Sequence, residues 1–417
     1  MRVLRGSGFV LIAALILTLE LGCGDTYRPV ANPIIGSGGQ PQPTYYAYVL
    51  NSNPNGNGTT MQIDVSGDTA SNVTTQGLGS VYETIPAYSV TLYVANTDND
   101  SITSYIPILS SSVITINMPV GSHPMFLNSA EAGSLFVLNS GPSSTCPDTG
   151  SIAIINTAQL TVTNTVCVGK NPVAMAQAAN GGQIFVVNQG DNSVSVFDPP
   201  SQSVIKTFTT TDGIGANPVY AVSRGDGAYI YILCDGDGVN PGEMNIINTA
   251  NFSQFGTVPL GVNPNYALFD PHLDRLYITN SGDNSVSVFD ASNTNLLTTT
   301  LIPLLAKVTV GTTPVSVTAL ADGTRFYTAN SVSNDVTAVS ATSFQVLTTI
   351  PVGTDPVWIA SDPGSSKVYT ANKGSSSVSI IKTVNNTVTV TIPSPQQDPS
   401  CTSNCALQQP VMILAPS

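Results

Sequence analysis

From Tyr45 onward the chain alternates between short runs of β-branched, aromatic and aliphatic residues and clusters of Gly, Asn, Asp, Ser and Pro, and no stretch keeps a helical period. Such a pattern predicts short strands joined by tight turns. One four-residue phrase recurs eight times: Tyr48-Val-Leu-Asn51, Tyr93-Val-Ala-Asn96, Phe136-Val-Leu-Asn139, Phe185-Val-Val-Asn188, Tyr231-Ile-Leu-Cys234, Tyr277-Ile-Thr-Asn280, Tyr327-Thr-Ala-Asn330 and Tyr369-Thr-Ala-Asn372. A second strand follows each phrase, most clearly Ser193-Val-Ser-Val-Phe-Asp198, Ser285-Val-Ser-Val-Phe-Asp290 and Ser377-Val-Ser-Ile-Ile381. Next come a Thr/Val-rich third strand, a Gly-x-x-Pro turn such as Gly169-Lys-Asn-Pro172, and a proline-led fourth strand such as Pro356-Val-Trp-Ile-Ala360.

The repeat length averages about 46 residues, within the range of propeller blades. Four strands per repeat predict an all-β fold, a single β-propeller of eight four-stranded blades, or seven if the first phrase lies outside the ring. Blades cover each other on both faces, which accounts for strands with so little charge. The chain enters at its Tyr48 strand and ends with a spare proline-led segment, Gln409-Pro-Val-Met-Ile-Leu-Ala415. This C-terminal strand is expected to join the first blade and close the ring, leaving no open sheet edge.

The ordered recurrence of phrase, second strand and Gly-x-x-Pro turn resembles the YVTN family of β-propeller repeats from Tyr45 to the end. The resemblance implies an exported or surface protein, often one without known chemistry. Two repeats depart from the pattern: no Gly-x-x-Pro precedes Tyr93, and Cys234 stands where the fifth phrase should end in Asn.

Before the repeats, Arg2 and Arg5 precede an apolar run from Phe9 to Leu19, which has the form of a secretory signal peptide over residues 1–22. The run is shorter than the roughly 20 residues that a membrane-spanning helix needs. Leu19-Glu20-Leu21-Gly22-Cys23 resembles a bacterial lipobox, with Glu20 departing from it, so Cys23 is a candidate lipidation site; cleavage by an ordinary signal peptidase is the alternative. Residues 23–44, rich in Gly, Pro and Gln, read as a flexible tether, and 45–417 as the propeller.

Charge narrows the partners. With 12 Lys+Arg against 25 Asp+Glu the formal net charge is −13, which excludes a basic nucleic-acid binder. Apolar residues reach 41% while charged ones reach only 9%, so the chain can fill a core and is not disordered. In an oxidising envelope Cys146 and Cys167 are expected to pair, since a four-strand meander brings them to one end of a blade. Cys401 and Cys405 form a second, smaller candidate pair, and Cys234 is left as a buried free thiol.

Catalytic motifs are missing from the sequence. There is no Cys-x-x-Cys-His for haem attachment, Trp358 is the only tryptophan, and two histidines, His123 and His272, cannot supply a copper cluster. Asp235-Gly-Asp237-Gly-Val-Asn240 and Asp98-Asn-Asp100 read as turns rather than calcium loops, because Val239 occupies a ligand position in the former. No metal and no cofactor are expected.

The residues just before the proline-led strands, His123, Asn171, Asn217, Asn263, Thr313, Asp355 and Gln409, are expected to encircle one mouth of the central channel and form a candidate ligand ring. Local turn chemistry explains the same residue types, with extended geometry expected before proline. The sequence therefore suggests a monomeric, non-catalytic envelope scaffold for a protein, glycan or small ligand, touching a membrane only through a lipid anchor. The alternative is a lactonase-like hydrolase using His123 and Asp355, which lacks an arginine cluster for a sugar phosphate: Arg224, Arg275 and Arg325 fall at the other end of their blades.

Overall fold

A computed structural model describes residues 46–415, apart from 87–88, 108–111, 132, 180, 293–301 and 398–404. The signal segment, the tether, Cys23 and Cys401 lie outside the described residues. The described chain folds into eight four-stranded antiparallel sheets. Blade 1 combines β1 (Tyr46–Ser52), β2 (Asn57–Asp64) and β3 (Thr69–Leu78) with the C-terminal β32 (Gln409–Leu414), which pairs with β1. The first phrase therefore lies inside the ring, and the blades number eight.

Every other blade runs outward in chain order, as in blade 4: β12 (Pro172–Gln177), β13 (Ile184–Asn188), β14 (Ser193–Asp198) and β15 (Ser203–Phe208). The innermost strands of blades 2, 3 and 5–8 are β4 (Ser80–Thr84), β8 (Pro124–Glu131), β16 (Pro218–Ser223), β20 (Pro264–Asp270), β24 (Pro314–Ala319) and β28 (Pro356–Ser361). Each innermost strand touches the next, from β32 through β4 and round to β28 and back to β32, which closes the ring around a channel.

The core is shared between blades. Phrase strand β13 is buried at all five positions. Its Phe185 and Val187 pack with Ile230 and Ile232 of blade 5, and its Ile184 and Val186 pack with Phe136 and Leu138 of blade 3. The same packing crosses the closure, where Val49 and Met61 of blade 1 meet Tyr369 and Val378 of blade 8. Burying each such side chain contributes about 1.5–3 kcal/mol, and the contribution depends on a neighbouring blade being present.

Polar side chains tie the turns to this core. In blade 4 the Gly169 amide donates to Asn188 Oδ1 at 3.0 Å, while Asn188 Nδ2 donates to Ser193 and Ser195. A Cβ on Gly169 would lie 2.5 Å from Asn188 Cγ, so the phrase asparagine and the turn glycine require each other. Asn280 and Gly261 repeat the arrangement in blade 6. In blade 2, Gly77-Leu-Gly79-Ser80 replaces Gly-x-x-Pro, and Gly77 donates to Asn96 Oδ1 at 3.0 Å. Blade 5 moves the amide to the adjacent strand: Asn245 Oδ1 accepts from the Gly215 amide at 2.8 Å and lies 3.2 Å from Cys234 Sγ. The departure at Cys234 is thus compensated next door, and Cys234 is the buried free thiol expected.

Cys146 and Cys167 form a disulfide with Cα atoms 5.5 Å apart. A bridge fits an oxidising compartment. Cys405 is also disulfide-bonded. No helix among the described residues is long and apolar enough to cross a membrane.

Candidate functional site at the channel mouth

Because each innermost strand starts at the same end of the ring, the residues preceding those strands gather at one mouth of the channel. The structure places His123, Asn171, Asn217, Asn263, Thr313 and Asp355 there, all with positive φ between 44° and 59°. Extended geometry, expected from the following proline, is overturned at these six positions. Gln409 differs: it lies within β32, opposite Ser52, and belongs to a strand rather than a turn. In blade 2 the corresponding position is Gly79, at φ 66°.

The left-handed conformation follows from two backbone bonds. The His123, Asn217, Thr313 and Asp355 amides donate to the side chains of Asp100, Asn192, Asn284 and Asn334, each in the loop after the phrase of the preceding blade, at 2.7–2.9 Å. Their carbonyls accept from the residue that follows their own blade's phrase: Ser140, Asp235, Ser331 and Lys373. Each mouth residue thus joins two blades through its backbone, and Asn tolerates the left-handed region better than most residues.

Side chains of the rim are partly engaged with one another. Asn171 Nδ2 donates to Gln189 at 3.2 Å, and Asn217 Nδ2 donates to Asp235 Oδ2 at 3.3 Å. With its amide oriented to satisfy both partners, Asn263 donates to Asp235 and to the Gly238 carbonyl. Burial raises the Asp235 carboxyl above its usual range, opposed by the Asn217 bond. Asp237 accepts from the Val239 and Asn240 amides, the expected turn. His123 Nδ1 lies 3.1 Å from the Thr97 carbonyl. The Asp355 carboxylate makes no hydrogen bond or ion pair among the described residues.

Below the rim lies a layer that sequence reading missed. In blades 2 to 8 the innermost strand slips register between its first and third residues, for example between Pro264 and Tyr266, and in blade 1 β32 slips between Pro410 and Met412. Such bulges re-aim side chains. The re-aimed third residues include Tyr82, Phe126, Tyr220, Tyr266 and Trp358. Tyr82 stacks on Phe126 with centroids 4.2 Å apart, and Tyr220 meets Tyr266 at 5.0 Å. Tyr266 and Trp358 touch edge to face at 5.6 Å although blade 7 stands between theirs, so they meet over the channel. All five rings are half-buried, whereas the residues that follow them, such as Leu127 and Ala267, are buried between blades. Burial lifts the Tyr82, Tyr220 and Tyr266 phenols, so the layer is uncharged at neutral pH. The signal available in sequence was an aromatic residue in five of the eight repeats at a fixed offset from the turn, with Ala174, Ser316 and Met412 at that position in the other three.

The opposite end of the ring holds the arginines of the described residues. Arg224 pairs with Asp226, Arg275 donates to the Ala341 carbonyl of blade 7, and Arg325 donates to the Thr383 carbonyl of blade 8. Lys367 repeats the clamp from blade 8 to Val65 and Asp68 of blade 1.

No family model and no curated protein sequence matches this chain. Solved structures do. Dihydro-heme d1 dehydrogenase NirN in complex with DHE is similar over 93% of this chain and 78% of its own, at TM-score 0.70 and 10% identity. Apo AztD from Citrobacter koseri matches over 89% and 98%, at TM-score 0.60 and 10% identity. Hydrazine synthase from Kuenenia stuttgartiensis matches over 69% and 90%, at TM-score 0.54 and 20% identity. At these identities the likeness extends to the propeller scaffold, which hosts both enzymes and other proteins.

Proposed function

We propose that the chain is a non-catalytic binding propeller of the YVTN type, exported behind residues 1–22 and tethered to the cell envelope through Cys23. Its acidic mouth face is presented to an envelope protein, a glycan or a small ligand, and the net charge of −13 repels polyanions such as nucleic acids. The observation that carries the reading is the fate of the two residues a hydrolase would use. His123 stands on blade 3 and Asp355 on blade 8, and His123 Nδ1 faces a backbone carbonyl rather than a carboxylate. A general base needs an orienting partner and a shared substrate position, and these two residues are tied instead into separate joints of the rim. The disulfide and the absence of a long apolar helix among the described residues are compatible with export.

The rival reading is lactone or ester hydrolysis at the mouth. A substrate screen on the mature protein, with His123→Ala as control, separates the two. Turnover lost in that variant would overturn the binding reading. Inactivity, together with capture of an envelope partner by the wild-type disc, is the expected result.

A further inference from the structure

We propose that the mouth is a cup for an extended organic cation of the polyamine class, with one terminal ammonium at Asp355 and the other over the aromatic layer. This proposal rests on the binding reading above and names its ligand class.

Three features support it. The aromatic rings of Tyr82, Phe126, Tyr220, Tyr266 and Trp358 cluster in the channel; each packs on one side against a core cluster shared between blades, yet each stays only half-buried and keeps part of its surface toward the channel. Aromatic faces attract ammonium groups, and more strongly where water is excluded. The Asp355 carboxylate is unengaged among the described residues, and it opens the strand that carries Trp358. Asp355 and Trp358 are three residues apart, so at most about 10 Å of chain separates them, within reach of the two terminal ammonium groups of an extended triamine.

The surrounding field agrees. Loops on this end carry Asp98, Asp191 and Asp237, all exposed, besides Asp355, against Lys170 and Lys373, while Arg224, Arg275 and Arg325 are engaged at the other end. A low-dielectric mouth with an excess of one sign of charge concentrates counter-ions of the opposite sign. The same details disfavour a saccharide at this position. Asn171, Asn217 and Asn263, the amides that would read hydroxyl groups, are already bonded to Gln189, Asp235 and Gly238.

Trp358 is the only tryptophan, so intrinsic fluorescence reports directly on the layer. The mature protein would be titrated with spermidine and putrescine, with sodium chloride at matched ionic strength, and with glucose and maltose. The expected result is a saturable change in Trp358 emission with spermidine, weakened at least tenfold in Asp355→Asn and also weakened in Tyr220→Leu. Asparagine suits a left-handed position, so the Asp355 variant should keep the wild-type unfolding temperature. No saturable response to spermidine, a response that follows ionic strength alone, or one unchanged by Asp355→Asn would overturn the proposal. A response to saccharides instead would overturn the ligand class and leave the binding reading standing. Silence to every small probe with retained capture of an envelope partner would do the same, and loss of both would defeat both readings.

Discussion

Replacing Glu83 by glutamine should make the stability of this protein much less dependent on pH. Glu83 lies on β4 and is fully buried at the seam between blades 1 and 2. Thr60 on β2 donates to its Oε2 at 3.0 Å, and Oε1 has no hydrogen-bond partner. Tyr48 from β1 and Tyr105 from the third strand of blade 2 face it, and no cation is among the groups that perturb it. Burial pushes the carboxyl up from 4.5 to about 8, with the Thr60 bond opposing the shift. The folded protein therefore holds one more proton than the unfolded chain between these two values, so stability falls as pH rises through that window. Stability from this group is fully present below pH 4.5 and is lost once pH passes about 8. At about 1.4 kcal/mol per unit over three and a half units, the loss approaches about 5 kcal/mol. Glutamine keeps the shape and the acceptor for Thr60 but never ionises. Urea unfolding of both proteins at pH 5, 6, 7, 8 and 9 measures the difference. The wild type should lose several kcal/mol more than Glu83→Gln between pH 5 and 8 and run parallel to it above that. Parallel profiles across the whole range would refute the argument that Glu83 is buried in protonated form.

Asn245→Ala should cost about 1–3 kcal/mol, because it leaves the Gly215 amide without its acceptor; the double change Cys234→Asn with Asn245→Ser, which restores the arrangement of blade 4, should recover most of it in denaturant unfolding. Thr313→Asn should stabilise by about 1 kcal/mol, since a β-branched residue now occupies φ 59°, and calorimetry would show a raised midpoint. Replacing Cys146 and Cys167 together by serine should cost about 3 kcal/mol, given the 21-residue separation, with the same loss seen in the wild type under reductant.

Much of the architecture is readable because the repeat states it eight times. The phrase, its glycine turn and its serine-rich partner strand each encode a local bond, as Gly169, Asn188 and Ser193 show, and the spare segment at Gln409 announces the closure. What stayed hidden is nonlocal. Ser80 substitutes for proline because Gly77 and Asn96 still make the joint, so the missing motif concealed a present strand. Asn245 takes over from an absent phrase asparagine through a strand pairing that no linear pattern displays. The left-handed geometry at the mouth depends on acceptors such as Asn192 and Asn334, which belong to the preceding blade. The aromatic layer was least legible, since Tyr266 and Trp358 meet only because the ring brings blades 6 and 8 to face a common channel.

Closure of the ring by β32 fixes every position discussed, and Trp358 reports on it, because its Nε1 donates to the Ile413 carbonyl at 3.0 Å. The most direct test removes residues 409–417 and follows Trp358 emission through thermal unfolding. The structure predicts a red-shifted emission maximum in the folded baseline and a lower, less cooperative transition. An unchanged maximum and an unchanged midpoint would contradict the closed eight-bladed ring.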